Sequence, residues 1–169
     1  PSVGLAGDRF YRPMEVAPEH VPYGGAVMSI DPAGMGKDET AYAVVKILNS
    51  QLFVTDSGGF LGGYTPDVLK SLARVARKQK VNHIIVESNF GDGMFSQLLK
   101  PVLSEDVGYP VTVEEVRHSK QKERRIIDTL EPIMNSHKLI IDKSIIERDF
   151  RGRTSFATGD QERTRGDLV

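Results

Sequence analysis

The sequence predicts a mixed α/β sheet, and three features of the chain support that prediction. Three apolar runs of strand length, Ala26–Asp31, Thr40–Leu48 and Gln51–Asp56, follow one another with short polar turns between them. Two later segments, the apolar run His83–Glu87 and the predicted strand Thr112–Val116, alternate with helical patterns. Strands joined by tight turns are antiparallel, whereas strands joined through a helix are parallel. We therefore expect one sheet with both kinds of pairing and helices on both faces.

Length and composition describe an ordinary globular domain without cysteine chemistry. The 169 residues are enough for one domain with a buried core, and 39% hydrophobic and 27% charged residues are typical of that class. The absence of cysteine excludes disulfides, thiolate zinc sites and cysteine nucleophiles within this chain. The formal net charge is -1, so a nucleic-acid surface would have to come from local clusters of cations. Because no apolar run approaches the ~20 residues that span a bilayer, we expect no membrane partner.

The first long strand is preceded by an irregular segment and ends in a charged residue at a sharp turn. Residues 1–25 contain several prolines and no sustained period, which predicts a linker or N-terminal arm. The strand after it closes on Asp31. Pro32 then cannot donate a ladder hydrogen bond, and Gly34 and Gly36 allow the chain to reverse. Because the first residue is not methionine, we expect residues 1–169 to be one domain of a longer protein.

A glycine-rich loop and a helix are expected after the antiparallel strands. Asn49-Ser50 predicts a hairpin turn, and the four glycines of residues 57–63 predict a loop. Thr65-Pro66-Asp67 is typical of a helix start, with a hydroxyl N-cap, a proline at the first helical position and an acid in the first turn. The apolar positions that follow predict one buried stripe, formed by Val68, Leu69, Leu72, Val75 and Ala76.

Helices and strands alternate over the second half of the chain. The continuous apolar run of His83–Glu87 follows a helix, so we expect a buried strand parallel to its neighbour. The later elements are expected at 93–103 (helix), 112–116 (strand), 120–136 (helix), 139–141 (extended) and 144–150 (helix). Their expected core-facing residues are Met94, Phe95, Leu98, Leu99, Ile126, Ile127, Leu130, Ile133 and Met134. This order of elements is the ribonuclease H-like layout, with residues 26–169 as one domain.

Two of the predicted strands end in a carboxylate. Asp31 closes the first strand and Glu87 closes the later parallel strand. If these strands are neighbours, both acids leave the sheet at the same edge, where hard oxygen ligands suit Mg²⁺ or Mn²⁺. Two such ions about 3.5–4 Å apart could activate a water and stabilise the leaving oxygen of a phosphodiester. The alternative is that each acid ends its strand and faces solvent. The topology favours a metal site with Asp31 and Glu87 as its catalytic residues.

The glycine turn after Asp31 carries a further acid. Asp38 faces back toward the end of the first strand, and it is either an auxiliary metal ligand or a turn cap. A phosphate-binding loop is not present in this turn. That motif needs a glycine five positions before Gly36 and a serine or threonine after Lys37, and both positions are occupied by aspartate.

The most basic segment of the chain, residues 117–125, follows the strand 112–116 and opens the next helix. Clustered cations and a helix N-terminus suit the phosphate backbone of nucleic acid, whereas a solvated helix face is the alternative. Its position near the predicted edge favours DNA contacts, by Lys120, Lys122, Arg124 and Arg125. Other residues expected in the same cleft are Ser88, Asn89 and Asp92. His118 and His137 lack the spacing of metal ligands, so we expect them to be structural or surface residues.

Three segments together, Ser29–Ala41, Ile84–Gly93 and His118–Ile126, resemble the nuclease domain of the large terminase subunit of tailed phages, and the podovirus-type phages most closely. The resemblance implies a ribonuclease H-like endonuclease that uses Mg²⁺ or Mn²⁺. Its substrate would be concatemeric viral double-stranded DNA, which it cuts during genome packaging. Asp31 and Glu87 match the first two metal-binding acids of that family.

The resemblance does not extend to the family's third acid. That acid lies in a His-Asp-Asp type segment before a final helix, and no such segment occurs here. We expect the third ligand beyond Val169, with Asp160 or Asp167 as the alternative. The resemblance also implies an ATPase motor domain before Pro1, since the chain contains no Walker motif, with residues 1–25 as the connection. The portal, the small terminase subunit and a location in the host cytoplasm are implied in the same way.

Two other classes of function are left open by the residues alone. A sugar-kinase or actin-like nucleotide-binding fold also opens with a strand, an aspartate and a glycine turn, although we find no second phosphate-binding hairpin. ATP binding would favour that class. A catalytically idle DNA-binding module on the same scaffold is the other alternative. Metal-dependent DNA nicking that is lost in Asp31→Ala would exclude it.

Overall fold

A six-stranded mixed sheet is the central element of the chain, as the sequence predicts. The computed structural model describes the residues 2–3, 9–10, 21–34, 36–87, 93–117 and 122–149, with side chains for all of them except 2–3, 9–10 and 122–125. Contacts between residues divide the chain into two units, 22–140 and the terminal segments 1–21 with 141–169. Within the described residues, no helix has the length and apolar character needed to cross a bilayer.

From β3 onward the elements follow one another in the predicted order, whereas β1 and β2 lie in the segment for which no strand was predicted. The strands are β1 (Ser2–Val3), β2 (Arg9–Phe10), β3 (Gly25–Asp31), β4 (Glu39–Leu48), β5 (Gln51–Leu61), β6 (His83–Glu87), β7 (Thr112–Val116) and β8 (Leu139–Ile141). The helices are α1 (Pro66–Gln79), α2 (Met94–Asp106) and α3 (Lys122–Asn135). Residues 143–149 are also helical.

The main sheet has the order β7-β6-β3-β4-β5-β8, and β1 and β2 form a separate antiparallel pair. β3, β4 and β5 pair antiparallel, and β6 pairs parallel with both β3 and β7. Asn49 and Ser50 both have positive φ (50° and 63°), as a tight hairpin between β4 and β5 requires. The sheet is therefore mixed, and its central strand β3 has an antiparallel neighbour on one side and a parallel neighbour on the other.

The hydrophobic core lies between one face of this sheet and the helices α1 and α2. In β3 and β6 every second residue is buried, because successive side chains of a strand point to opposite faces. The fully buried side chains of this core include Met28, Ile30, Val44, Leu72, Val81, Ile84, Val86 and Leu99. Burial of such a layer is the main stabilising term of the fold, at roughly 25 cal/mol per Å² of apolar surface.

The prediction of a loop at residues 57–63 is wrong for residues 57–61, because β5 continues to Leu61. Gly58 pairs with Tyr42, and a Cβ on Gly58 would lie 3.2–3.4 Å from the Tyr42 ring. Gly59 lies in the same way beneath the side chain of Glu39. The two glycines therefore let side chains of β4 cross the β5 backbone, and they extend the strand instead of ending it.

The helices differ from the prediction in four details. Thr65 is the N-cap of α1 with Pro66 at its start, but its hydroxyl makes no capping hydrogen bond. α2 runs three residues beyond the predicted end, through Pro101, and Leu98 is 40% exposed because the buried side of α2 passes through Phe95, Ser96, Leu99 and Leu103. The expected core-facing residues of α3 are largely exposed: Ile126, Ile127, Leu130 and Met134.

We predict that Gly58→Ala destabilises the chain by about 1–3 kcal/mol, since the added methyl group would press on a buried aromatic ring. Gly25→Ala is the matched control, because no atom lies within 4 Å of its hypothetical Cβ. Urea unfolding measures both. Equal stability of the two variants would contradict the strand geometry described for β5.

Candidate divalent-metal site

The pairing of β3 with β6 brings Asp31 and Glu87 together. The parallel register runs from Val27 opposite His83 to Ile30 opposite Val86. Each strand continues for one more residue, and these residues are Asp31 and Glu87. The register therefore sets the two acids side by side on strands about 4.7–4.9 Å apart.

Both acids project from the face of the sheet that α1 and α2 do not cover. Ile30 and Val86, which precede the acids, are 0% and 1% exposed and belong to the core. Since side chains alternate along a strand, Asp31 and Glu87 point to the opposite face, and both are half-buried. The topology and the alternation thus place two carboxylates on one face of one sheet edge.

The residues around Asp31 on this face are small. Ala41 is its direct partner in β4 and Ser29 precedes it by two positions in β3, and both are exposed. Gly59 in turn pairs with Ala41. The side chains of Ser29 and Ala41 therefore do not crowd Asp31 on this face.

The donor chemistry of the pair fits a hard divalent cation. Two carboxylates at the ends of neighbouring strands repel each other, and a cation bound between them offsets that repulsion. Mg²⁺ keeps several waters and is usually held by one or two protein carboxylates together with substrate phosphates. Among the described residues no group of three His, Cys, Asp or Glu could hold a metal ion. Asp31 and Glu87 could therefore hold Mg²⁺ or Mn²⁺ as a site completed by water, substrate or a further ligand.

The turn after Asp31 is fixed by a side chain that the sequence patterns did not single out. The N–H of Ala33 donates to Thr40 Oγ1 at 3.0 Å, and Thr40 Oγ1 donates to the carbonyl of Gly63, also at 3.0 Å. Thr40 is fully buried at 0% exposure. No spacing rule predicts this contact, because it joins three segments that meet only in the folded chain.

Asp38 occupies the exposed part of the turn between β3 and β4. It does not form a three-ligand group with Asp31 and Glu87 within the described residues. Its role as an auxiliary ligand stays a prediction, and so does the alternative that it caps the turn.

The predicted basic segment begins at the same sheet edge as the two acids. Val116, the last residue of β7, pairs with Glu87, so Arg117 leaves the sheet beside that acid and is exposed. Lys122, Arg124 and Arg125 belong to the first turn of α3, which begins at Lys122. The cationic segment therefore starts, at Arg117, from the sheet edge that carries the acids.

Several predicted site residues lie outside the described part of the chain, namely Ser88, Asn89, Asp92, His118, Lys120, Asp160 and Asp167. His137 is described, and it lies in the exposed turn after α3 with φ of 54°. Its backbone N–H donates to the carbonyl of Met134 at 3.0 Å. Because Asp160 and Asp167 lie outside the described residues, the identity of the third metal-binding acid stays a prediction.

The sheet order and the paired strand-end acids define a ribonuclease H-like domain with a candidate metal edge. The family model for the ribonuclease H-like domain of the bacteriophage T7 terminase matches residues 30–139, and the chain belongs to that family. The terminase large subunit of Enterobacteria phage T3 is 41% identical over 151 residues, which cover 89% of this chain and 25% of that protein. The chain thus spans about a quarter of the length of this relative.

Solved structures agree with the fold. The large terminase of a thermophilic bacteriophage superimposes with a TM-score of 0.56 at 15% identity, over 80% of this chain and 32% of that one. The Mn-soaked, inhibitor-bound terminase nuclease domain of human cytomegalovirus gives a TM-score of 0.52 at 11% identity, over 73% of this chain and 64% of that one. The predicted ribonuclease H-like fold and the predicted family are therefore confirmed.

We predict that Asp31→Asn and Glu87→Gln each weaken Mn²⁺ binding at least tenfold, because each removes one of two charged ligands at the same edge. A tenfold change corresponds to about 1.4 kcal/mol. Isothermal titration calorimetry with Mn²⁺ measures the effect. Glu105→Gln, an exposed position in the last turn of α2, is the control with expected wild-type affinity. Wild-type affinity in both site variants would refute the metal site.

Proposed function

We propose that this chain is the metal-dependent endonuclease domain of a terminase large subunit. It cuts concatemeric viral double-stranded DNA during genome packaging. The observation that carries the proposal is the β3–β6 register, which sets Asp31 beside Glu87. Both acids lie on the face of the sheet that α1 and α2 do not cover, called the open face below. Membership of the T7 terminase family supports the same activity.

In the proposed mechanism, Asp31 and Glu87 hold the ions and the basic segment holds the DNA. Two bound Mg²⁺ or Mn²⁺ ions would supply Lewis-acid chemistry for in-line hydrolysis of a phosphodiester, by activating a water and stabilising the leaving oxygen. Asp31 and Glu87 are the last residues of β3 and β6, so the strand pairing sets how far apart their backbones lie. Asp38 or an acid beyond the described residues would complete the ligand set.

The open face beside the acids suits a double-stranded substrate. We propose that a phosphate group of a duplex approaches Asp31 over Ser29 and Ala41, which are both exposed and small. The cations of residues 117–125 would neutralise flanking phosphates, with Lys120, Lys122, Arg124 and Arg125 as the expected contacts. Such contacts position the backbone without reading sequence, so we propose cleavage without strong sequence preference.

The remaining parts of the proposal concern the longer protein. We propose that an ATPase motor domain precedes this chain and that the portal and the small terminase subunit are its packaging partners. The infected bacterial cell is the proposed place of action. The length of the T3 relative, of which this chain covers a quarter, leaves room for such a motor.

We predict Mn²⁺-dependent conversion of supercoiled plasmid to nicked and linear forms by the 169-residue chain. EDTA should abolish cleavage, and Asp31→Asn and Glu87→Gln should each reduce its rate at least a hundredfold, because the ions would lose a ligand. Glu105→Gln should cleave at the wild-type rate. Cleavage in EDTA, or wild-type rates in both site variants, would contradict the proposal. Saturable ATP binding without cleavage would favour the nucleotide-binding alternative instead.

We further predict that the double variant Lys122→Gln/Arg124→Gln binds double-stranded DNA more weakly while Mn²⁺ affinity is unchanged. The slope of log affinity against log salt concentration should fall by about 2, roughly one unit for each lost phosphate contact. Fluorescence anisotropy over a salt series measures this slope. Arg74→Gln/Lys78→Gln, two exposed cations of α1, is the matched control. An equal loss of slope in the control would contradict the assignment of the basic segment.

A further inference from the structure

The buried hydroxyl of Thr40 ties the turn that follows Asp31 to the sheet. Pro32 has no N–H, so the backbone ladder of β3 cannot continue past Asp31 in the regular way. The next amide, that of Ala33, donates to Thr40 Oγ1 at 3.0 Å. Ala33 is only 8% exposed, so its amide relies on this side chain in place of water. Thr40 thereby replaces the backbone partner that the ladder loses.

The same hydroxyl connects this turn to the loop before α1. Thr40 Oγ1 donates to the carbonyl of Gly63 at 3.0 Å, so it acts at once as acceptor and donor. Gly63 has φ of 59°, and a Cβ there would lie 2.7 Å from the carbonyl oxygen of Gly34. The backbone at Gly63 therefore packs directly against the turn after Asp31, in a conformation that favours glycine.

Asp31 lies at the boundary between these two restraints. On its N-terminal side the ladder to β4 and β6 fixes the backbone, and on its C-terminal side the contacts of Ala33 with Thr40 and of Gly34 with Gly63 do so. A carboxylate that shares an ion with a second carboxylate has to be held within about 0.5 Å of its productive position. Loss of the second restraint would leave the strand paired but would loosen its last residue.

We propose that Thr40 is a positioning residue for Asp31, acting through the Ala33 amide and the Gly63 carbonyl, without contact to the metal ion or the DNA. This inference rests on the proposed function, because positioning matters only if Asp31 binds an ion. It assigns a role in metal binding to a hydroxyl that lies in the interior of the sheet.

The test compares Thr40→Val, which keeps the shape and removes both hydrogen bonds, with Thr40→Ser, which keeps the hydroxyl. We expect Thr40→Val to weaken Mn²⁺ binding about tenfold by calorimetry and Thr40→Ser to change it less than twofold. Thr55→Val is the matched control, since Thr55 Oγ1 donates to Gln79 Oε1 at 3.2 Å, away from the acids. It should lower the unfolding temperature and leave Mn²⁺ affinity within twofold of wild type.

A second measurement uses the metal-free chain and does not depend on activity. Hydrogen–deuterium exchange should show the Ala33 amide exchanging at least tenfold faster in Thr40→Val and at the wild-type rate in Thr40→Ser. If Thr40→Val does not fold, Gly63→Ala gives the same test, because its methyl group presses on Gly34 while every hydrogen-bonding side chain stays in place. It should weaken Mn²⁺ binding to a similar degree.

The outcomes separate this inference from the proposed function. If Asp31→Asn loses Mn²⁺ binding while Thr40→Val, or Gly63→Ala in its place, binds like the wild type, Thr40 does not position Asp31 and only this inference is overturned. If the wild-type chain binds no Mn²⁺, or Asp31→Asn cleaves DNA like the wild type, the proposed function fails and this inference fails with it.

Discussion

The parallel pairing of β3 with β6 is the constraint on which the site depends. A strand has a side-chain period of two, so a slip of one residue would move its acid to the other face of the sheet. Four buried residues, Met28, Ile30, Ile84 and Val86, hold the register because a slip would expose them to solvent. The core beneath the sheet thus determines the relative position of the two acids, although these four residues point to the opposite face of the strands.

One face of these strands therefore packs the core that stabilises the fold, and the other face carries the two acids. The residues that α1 and α2 cover are large and apolar, whereas the residues around Asp31 on the other face are small and exposed. The antiparallel strands β4 and β5 show the same difference between the two faces. Gly58 lies beneath the Tyr42 ring on the covered face, while on the other face Ala41, the partner of Asp31, is small and Gly59 lies beneath the side chain of Glu39. One sheet can thus be rigid inside and accessible at its edge.

Much of the fold could be predicted from the sequence because its signals are local. β6, β7 and β8 have the predicted bounds. β6 and β8 are marked by short apolar runs, HIIVE and LII, between polar segments. The pairing of Asp31 with Glu87 followed from chain order, because a helical crossover makes strands parallel. The continuation of β5 through Gly58 could not be predicted, since it depends on a cross-strand ring. The bond of Thr40 to Ala33 was missed for the same reason: it exists only once distant segments have packed.

A crystal structure with Mn²⁺, with anomalous data collected at the manganese edge, tests the central claim most directly. We predict an anomalous peak at the shared edge of β3 and β6, bonded to a carboxylate oxygen of Asp31 and to one of Glu87. Diffraction that places the two side chains on opposite faces of the sheet, or that puts every manganese peak away from this edge, would contradict the claim.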